Sequence, residues 1–154
     1  MGRMWTGAAF VAIMALLSTV AMAAPKDQSA IHQQADISAS PERVYAALLD
    51  EKLFARMTGA PAKIDSAAGG AFSLFGNRIS GRNIELVPGI MVVQAWRNNF
   101  WAPGVYSLVR FRLTLHGTGT RILLDQTGFP EDDFHDLSIG WPEHYWTPLK
   151  SLSR

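Results

Sequence analysis

The chain has 154 residues, a length that suits one domain with one core. Its 14 Lys and Arg nearly balance 13 Asp and Glu, and no basic stripe is present to meet phosphates, which argues against a nucleic-acid partner. The absence of cysteine excludes disulfides, thiolate chemistry, cysteine-based metal sites and lipoprotein anchoring through an N-terminal cysteine.

Residues 1–23 carry the pattern of a secretory leader. Arg3 is the basic start, AAFVAIMALL at 8–17 is the apolar core, and Ala21-Met22-Ala23 is a small-residue exit before Ala24-Pro25. The apolar run is short for a membrane span, which needs roughly 20 residues. The expectation is a signal peptide cut after Ala23, a secreted or periplasmic protein, and no stable membrane span after cleavage. The rest carries 13 cations and 13 acids, because Arg3 is the only charged side chain removed. Residues 24–30 read as a polar, flexible spacer, and 31–154 as the folded domain.

A first strand is expected over 31–38. Ser40-Pro41-Glu42 then starts a helix, with Ser40 as N-cap and Pro41 in the first turn. That helix runs to about Leu49, and a second spans 51–57 before Gly59-Ala60-Pro61. Strand-like segments follow at 71–75, 79–87, 90–97, 106–115 and 120–129, separated by Gly, Asn and Pro turns. In 106–115, Val109, Phe111, Leu113 and Leu115 alternate with Arg110, Arg112 and Thr114, the mark of a half-solvated antiparallel strand. From Phe134 onward the period changes. Phe134, Leu137, Trp141, Tyr145, Leu149 and Leu152 recur every three or four residues, as on an amphipathic helix. Asp132, Asp133 and Asp136 sit near its start, where the helix dipole favours anions. Pro142 predicts a break or bend near residues 140–142, with the main helix beginning there.

Strand, two short helices, a run of antiparallel strands and one long C-terminal helix describe an α+β helix-grip fold: a curved antiparallel sheet wrapped around the last helix. The stretch Ile37-Ser38-Ala39-Ser40-Pro41-Glu42-Arg43-Val44-Tyr45 resembles the opening of the SRPBCC (START-like, birch-pollen-allergen-like) superfamily. Within it, Phe75-Gly76, Gly81, Glu85-Leu86-Val87-Pro88-Gly89 and Val92-Val93-Gln94-Ala95-Trp96-Arg97 resemble the family named for activators of the ninety-kilodalton heat-shock protein's ATPase. Gly119-Thr120, Gln126-Thr127-Gly128-Phe129-Pro130, Gly140-Trp141, His144-Tyr145-Trp146 and Pro148-Leu149-Lys150 extend the likeness, which covers roughly 31–151. The resemblance implies a cavity between the sheet and the helix. It implies little about chemistry, since that family mixes binders, co-chaperones and uncharacterised proteins.

In such a fold Trp141 and Tyr145 lie one helical turn apart and face the sheet. Trp96, Phe111 and Gln126 lie on three successive strands that the resemblance places opposite them. These five are the candidate ligand-binding residues, and plain core packing is the alternative for the aromatic ones. The Gln126 amide needs a partner if buried: a ligand, the neighbouring strand, Asn83 or Tyr145. The four histidines, His32, His116, His135 and His144, show no metal-ligand spacing, and no serine sits in a nucleophile-elbow context. No cofactor, catalytic residue or metal ligand is assigned. The favoured function is binding of a small hydrophobic or amphipathic molecule. The alternatives are a cyclase- or hydrolase-like enzyme using Glu143 or His144 in the same cavity, and a co-chaperone-like protein-binding module. Oligomeric state is left open.

Overall fold

The computed structural model describes residues 27–152, so the expected leader and its cut after Ala23 lie outside the described residues. Strand β1 (Ala30–Ile37) leads into helices α1 (Pro41–Leu49) and α2 (Glu51–Thr58). Strands β2 (Ala62–Ile64), β3 (Ala71–Leu74), β4 (Ile79–Val87), β5 (Met91–Asn98), β6 (Ser107–His116) and β7 (Gly119–Thr127) follow. They form one seven-stranded antiparallel sheet in the order β1-β7-β6-β5-β4-β3-β2. The α+β helix-grip architecture read from the sequence is the one observed.

Local chemistry explains the helical corner. The Ser40 hydroxyl accepts from the Arg43 N–H at 3.3 Å, and Pro41 occupies the first turn, where a missing N–H costs nothing. Asp50 ends α1 in an extended conformation and caps α2 by accepting from Leu53 N–H at 2.8 Å. Gly59 closes α2 at φ +70°, which a glycine adopts without strain. In the sheet, a Cβ at Gly81 would run into the Ala95 carbonyl and the Phe72 ring, so only glycine lets β4 lie this close to β5. The sequence reading had no strand at β2, which is too short to show a period.

Two expectations need correction. On β6, Val109, Phe111 and Leu113 are buried, but Leu115 is 72% exposed, because this end of the strand runs out to its turn into β7. The C-terminal helix also does not begin at Pro142, where its irregularity is a change of hydrogen-bond pattern. It runs as α3 (Phe134–Trp141), a π-turn (Pro142–Trp146) and α4 (Thr147–Lys150) without leaving helical backbone angles. The Thr147 N–H reaches back five residues to the Pro142 carbonyl. Pro142 has no N–H to offer the Ser138 carbonyl one turn earlier. The Gln33 side chain on β1 supplies that donor, its Nε2 lying 2.9 Å from Ser138 O, and its Oε1 accepts from Trp146 Nε1 at 2.8 Å. A side chain from the edge strand thus satisfies the bond that proline deletes, and the helix continues.

The core fills the space between sheet and helix. Phe111, Leu113, Ile122 and Leu124 from the sheet meet Leu137, Trp141, Tyr145 and Leu149 from the helix. Val44, Leu48 and Phe54 close one end.

Candidate functional site

The space between sheet and helix is not filled at its other end. A cavity of about 440 Å³ lies there. The β3–β4 turn gives it Phe75 and Arg78, the start of β4 gives Ile79, and β5 with the following loop gives Trp96, Asn98, Phe100 and Trp101. The helix completes it with Asp133, Asp136, Leu137, Gly140, Trp141, His144 and Tyr145. Its deep walls are aromatic. Trp96 packs at 5.6 Å from Trp141 and 5.8 Å from Trp101, and Trp141 at 4.5 Å from Tyr145, between ring centroids. The mouth is polar and solvent-facing, formed by Arg78, Asp136 and His144, and Phe100 stands there 80% exposed.

The five residues singled out in the sequence share the sheet–helix interior, but they divide in role. Trp96, Trp141 and Tyr145 line the cavity. Phe111 is packed off its surface against the Trp141 and Tyr145 rings, at 5.6 and 6.2 Å. Gln126 is fully buried with both ends of its amide engaged: Oε1 accepts from Trp141 Nε1 at 2.7 Å, and Nε2 donates to Ser107 Oγ at 2.9 Å. Ser107 Oγ in turn donates to the Trp96 carbonyl at 2.9 Å. This chain of bonds ties β5, β6 and β7 to the helix and fixes the angle of the Trp141 indole. Asn83 is not part of it; its amide bonds Gln94 and the Asp65 carbonyl.

Two polar atoms of the lining residues stay unsatisfied. Trp96 Nε1 and the Tyr145 hydroxyl are buried and have no hydrogen-bond partner among the described residues. Native proteins leave few such groups, and each lacks roughly 1–3 kcal/mol of compensation. Burial pushes the Tyr145 hydroxyl far above the usual phenol range, so it stays protonated and can donate; the nearby Trp96 indole opposes that rise without reaching hydrogen-bond geometry.

The cavity wall also carries backbone strain. Phe75 and Asn77 take φ of +53° and +69°, with Gly76 at +64° between them. A phenylalanine in the left-handed region costs on the order of 1–2 kcal/mol. The turn places the Phe75 ring 5.4 Å from Phe54 and 5.8 Å from Tyr145 and His144. Of the two neighbouring acid–base candidates, His144 lines the cavity and Glu143 does not, as their divergence around the helix requires. Trp101 was missed by sequence reasoning because it sits in a Pro- and Gly-containing loop. It is buried, and its indole N–H donates to the Asp133 carboxylate, tying the loop to the helix start. Among the described residues no three His, Asp or Glu converge as metal ligands would, and no helix is long and apolar enough to cross a membrane.

Residues 38–154 match the family model described as Activator of Hsp90 ATPase homolog 1-like protein. A curated Dictyostelium discoideum relative, an activator of 90 kDa heat shock protein ATPase homolog, is 31% identical over 75% of this chain and 30% of its own length. A human relative, Activator of 90 kDa heat shock protein ATPase homolog 1, is 26% identical over 72% of this chain and 33% of its own. The chain therefore spans about a third of these relatives. A solved Plasmodium falciparum structure described as an HSP90 activator shares the fold, with a TM-score of 0.70 and 22% identity over 76% of this chain and 90% of that one. By a family match that covers most of its length, this chain belongs to the Activator of Hsp90 ATPase homolog 1-like family.

Proposed function

We propose that this chain is an exported binding protein that holds a small apolar or amphipathic molecule, without converting it, in the cavity between sheet and C-terminal helix. The observation that carries the reading is an aromatic cavity of about 440 Å³ whose lining residues Trp96 and Tyr145 keep buried donors without acceptors. Apolar walls with one or two polar groups suit a ligand oriented by few hydrogen bonds. Export rests on the leader pattern of residues 1–23.

The test is Tyr145→Phe, which removes only the hydroxyl. Because that hydroxyl is unpaired in the free protein, stability should hold or rise slightly. Affinity for a ligand captured by native mass spectrometry from the exported compartment should fall by roughly 0.5–1.5 kcal/mol. No co-purifying small molecule, or equal affinity with and without the hydroxyl, would count against the reading.

A second reading follows from the names of the relatives: action on a chaperone ATPase of the ninety-kilodalton heat-shock class. Stimulation of such an ATPase by this chain, together with retention of residues 1–23 in a cytosolic product, would favour it over the first.

A further inference from the structure

We infer that the cavity selects its ligand by charge: it takes amphipathic molecules whose polar end is a cation, an amine or quaternary ammonium, over carboxylates and sulfonates of the same shape. This rests on the reading of the cavity as a ligand site, and it comes from the distribution of charge around it. Asp133 and Asp136 line the cavity, Asp136 at its mouth, and neither is within ion-pair distance of a cation among the described residues. Glu131 and Asp132 add two exposed carboxylates on the same turn. The partial positive charge at the start of α3, about half an elementary charge, is outweighed by these acids. Against these carboxylates the lining holds one guanidinium, Arg78, which lies 5.8 Å from the centroid of the exposed Phe100 ring.

The walls agree with the mouth. The faces of Trp96, Trp101, Trp141 and Tyr145 carry the negative side of the ring quadrupole, which attracts a desolvated cation and repels an anion. The unpartnered donors on Trp96 and Tyr145 do not make an anion trap, because two neutral donors do not repay burial of a full negative charge.

The experiment uses three probes with one skeleton: 2-(1-naphthyl)ethylamine, 1-naphthaleneethanol and 1-naphthaleneacetate. Each is titrated into the protein by calorimetry at low and high salt. The amine should bind tightest and the carboxylate weakest, about tenfold apart at low salt, with the gap closing as salt screens the mouth. Asp133→Asn combined with Asp136→Asn should bring the three within about threefold, since amides keep the shape and an acceptor for Trp101 but lose the charge. Equal affinities, a carboxylate preference, or an amine preference left at its full size by the double substitution would overturn the charge inference and leave the binding reading standing. No binding by any of the three would overturn both.

Discussion

Gly140 offers the sharpest separation of cavity from core. It lies on the helix, lines the cavity, and has no side chain to fill it. A Cβ added there meets only the His144 ring, at 3.8 Å, an ordinary contact. Its backbone is helical, so alanine brings no left-handed strain. A helix-interior glycine is about 1 kcal/mol less favourable than alanine, and nothing near Gly140 opposes recovery of that amount. Gly140→Ala should therefore raise stability by roughly 0.5–1 kcal/mol, read as a higher urea midpoint with unchanged slope, or a Tm about 3–5 °C higher. Gly140→Leu should stay at least as stable as the unmodified protein, since its added carbons enter an apolar cavity instead of a packed core. The same leucine should weaken 1-naphthaleneethanol binding at least about tenfold, because it competes for the ligand's volume. Loss of more than about 1 kcal/mol in the alanine variant would mean that the wall at Gly140 is closed. A stable leucine variant that binds as before would place the ligand elsewhere.

The Gln126–Trp141 bond predicts non-additivity. Gln126→Met and Trp141→Phe should each cost about 2–4 kcal/mol, because each strands a buried polar partner, and the double variant should cost about 1–2 kcal/mol less than the sum, by urea unfolding followed by circular dichroism. Gln33→Leu removes the donor that serves Ser138 O and the acceptor for Trp146 Nε1; it should cost about 2 kcal/mol and speed amide hydrogen exchange after Pro142. Burial alone would raise the Asp125 pKa, but bonds from Arg110 and His32 outweigh it and hold it below the usual carboxylate range. A depressed folded pKa adds stability that is complete above the unfolded value of about 4 and is lost as pH falls through the folded value. Asp125→Asn should therefore lower stability at neutral pH by about 1 kcal/mol or less, discounted for its partial exposure, and flatten the decline in Tm below pH 4.

Much of the architecture was legible because it rests on local signals. Ser40-Pro41, the period-two run of β6 and the three- and four-residue spacing from Phe134 to Leu152 each carry their own physical reason. What was not legible depends on partners distant in sequence. Pro142 reads as a helix breaker until Gln33, more than a hundred residues earlier, is seen to supply the missing donor. Gln126 reads as an amide awaiting a ligand until Ser107 and Trp141 are seen to occupy both its ends. The cavity also lies nearer the β3–β4 turn and the β5–β6 loop than sequence spacing implied. Phe75, Phe100 and Trp101 line it from segments whose glycines, asparagines and prolines announce turns and nothing more.

The central claim is that this cavity, and no other surface, receives a small amphipathic molecule. The indole N–H resonances of Trp96, Trp101, Trp141 and Trp146 report on it directly in a titration with 1-naphthaleneethanol followed by two-dimensional NMR. Trp96, Trp101 and Trp141 line the cavity and should shift with one common saturation curve, whereas Trp146, bonded to Gln33 and outside the lining, should move little. Unmoved Trp96 and Trp101 signals at saturating probe, or shifts as large at Trp146 as at the other three, would contradict it.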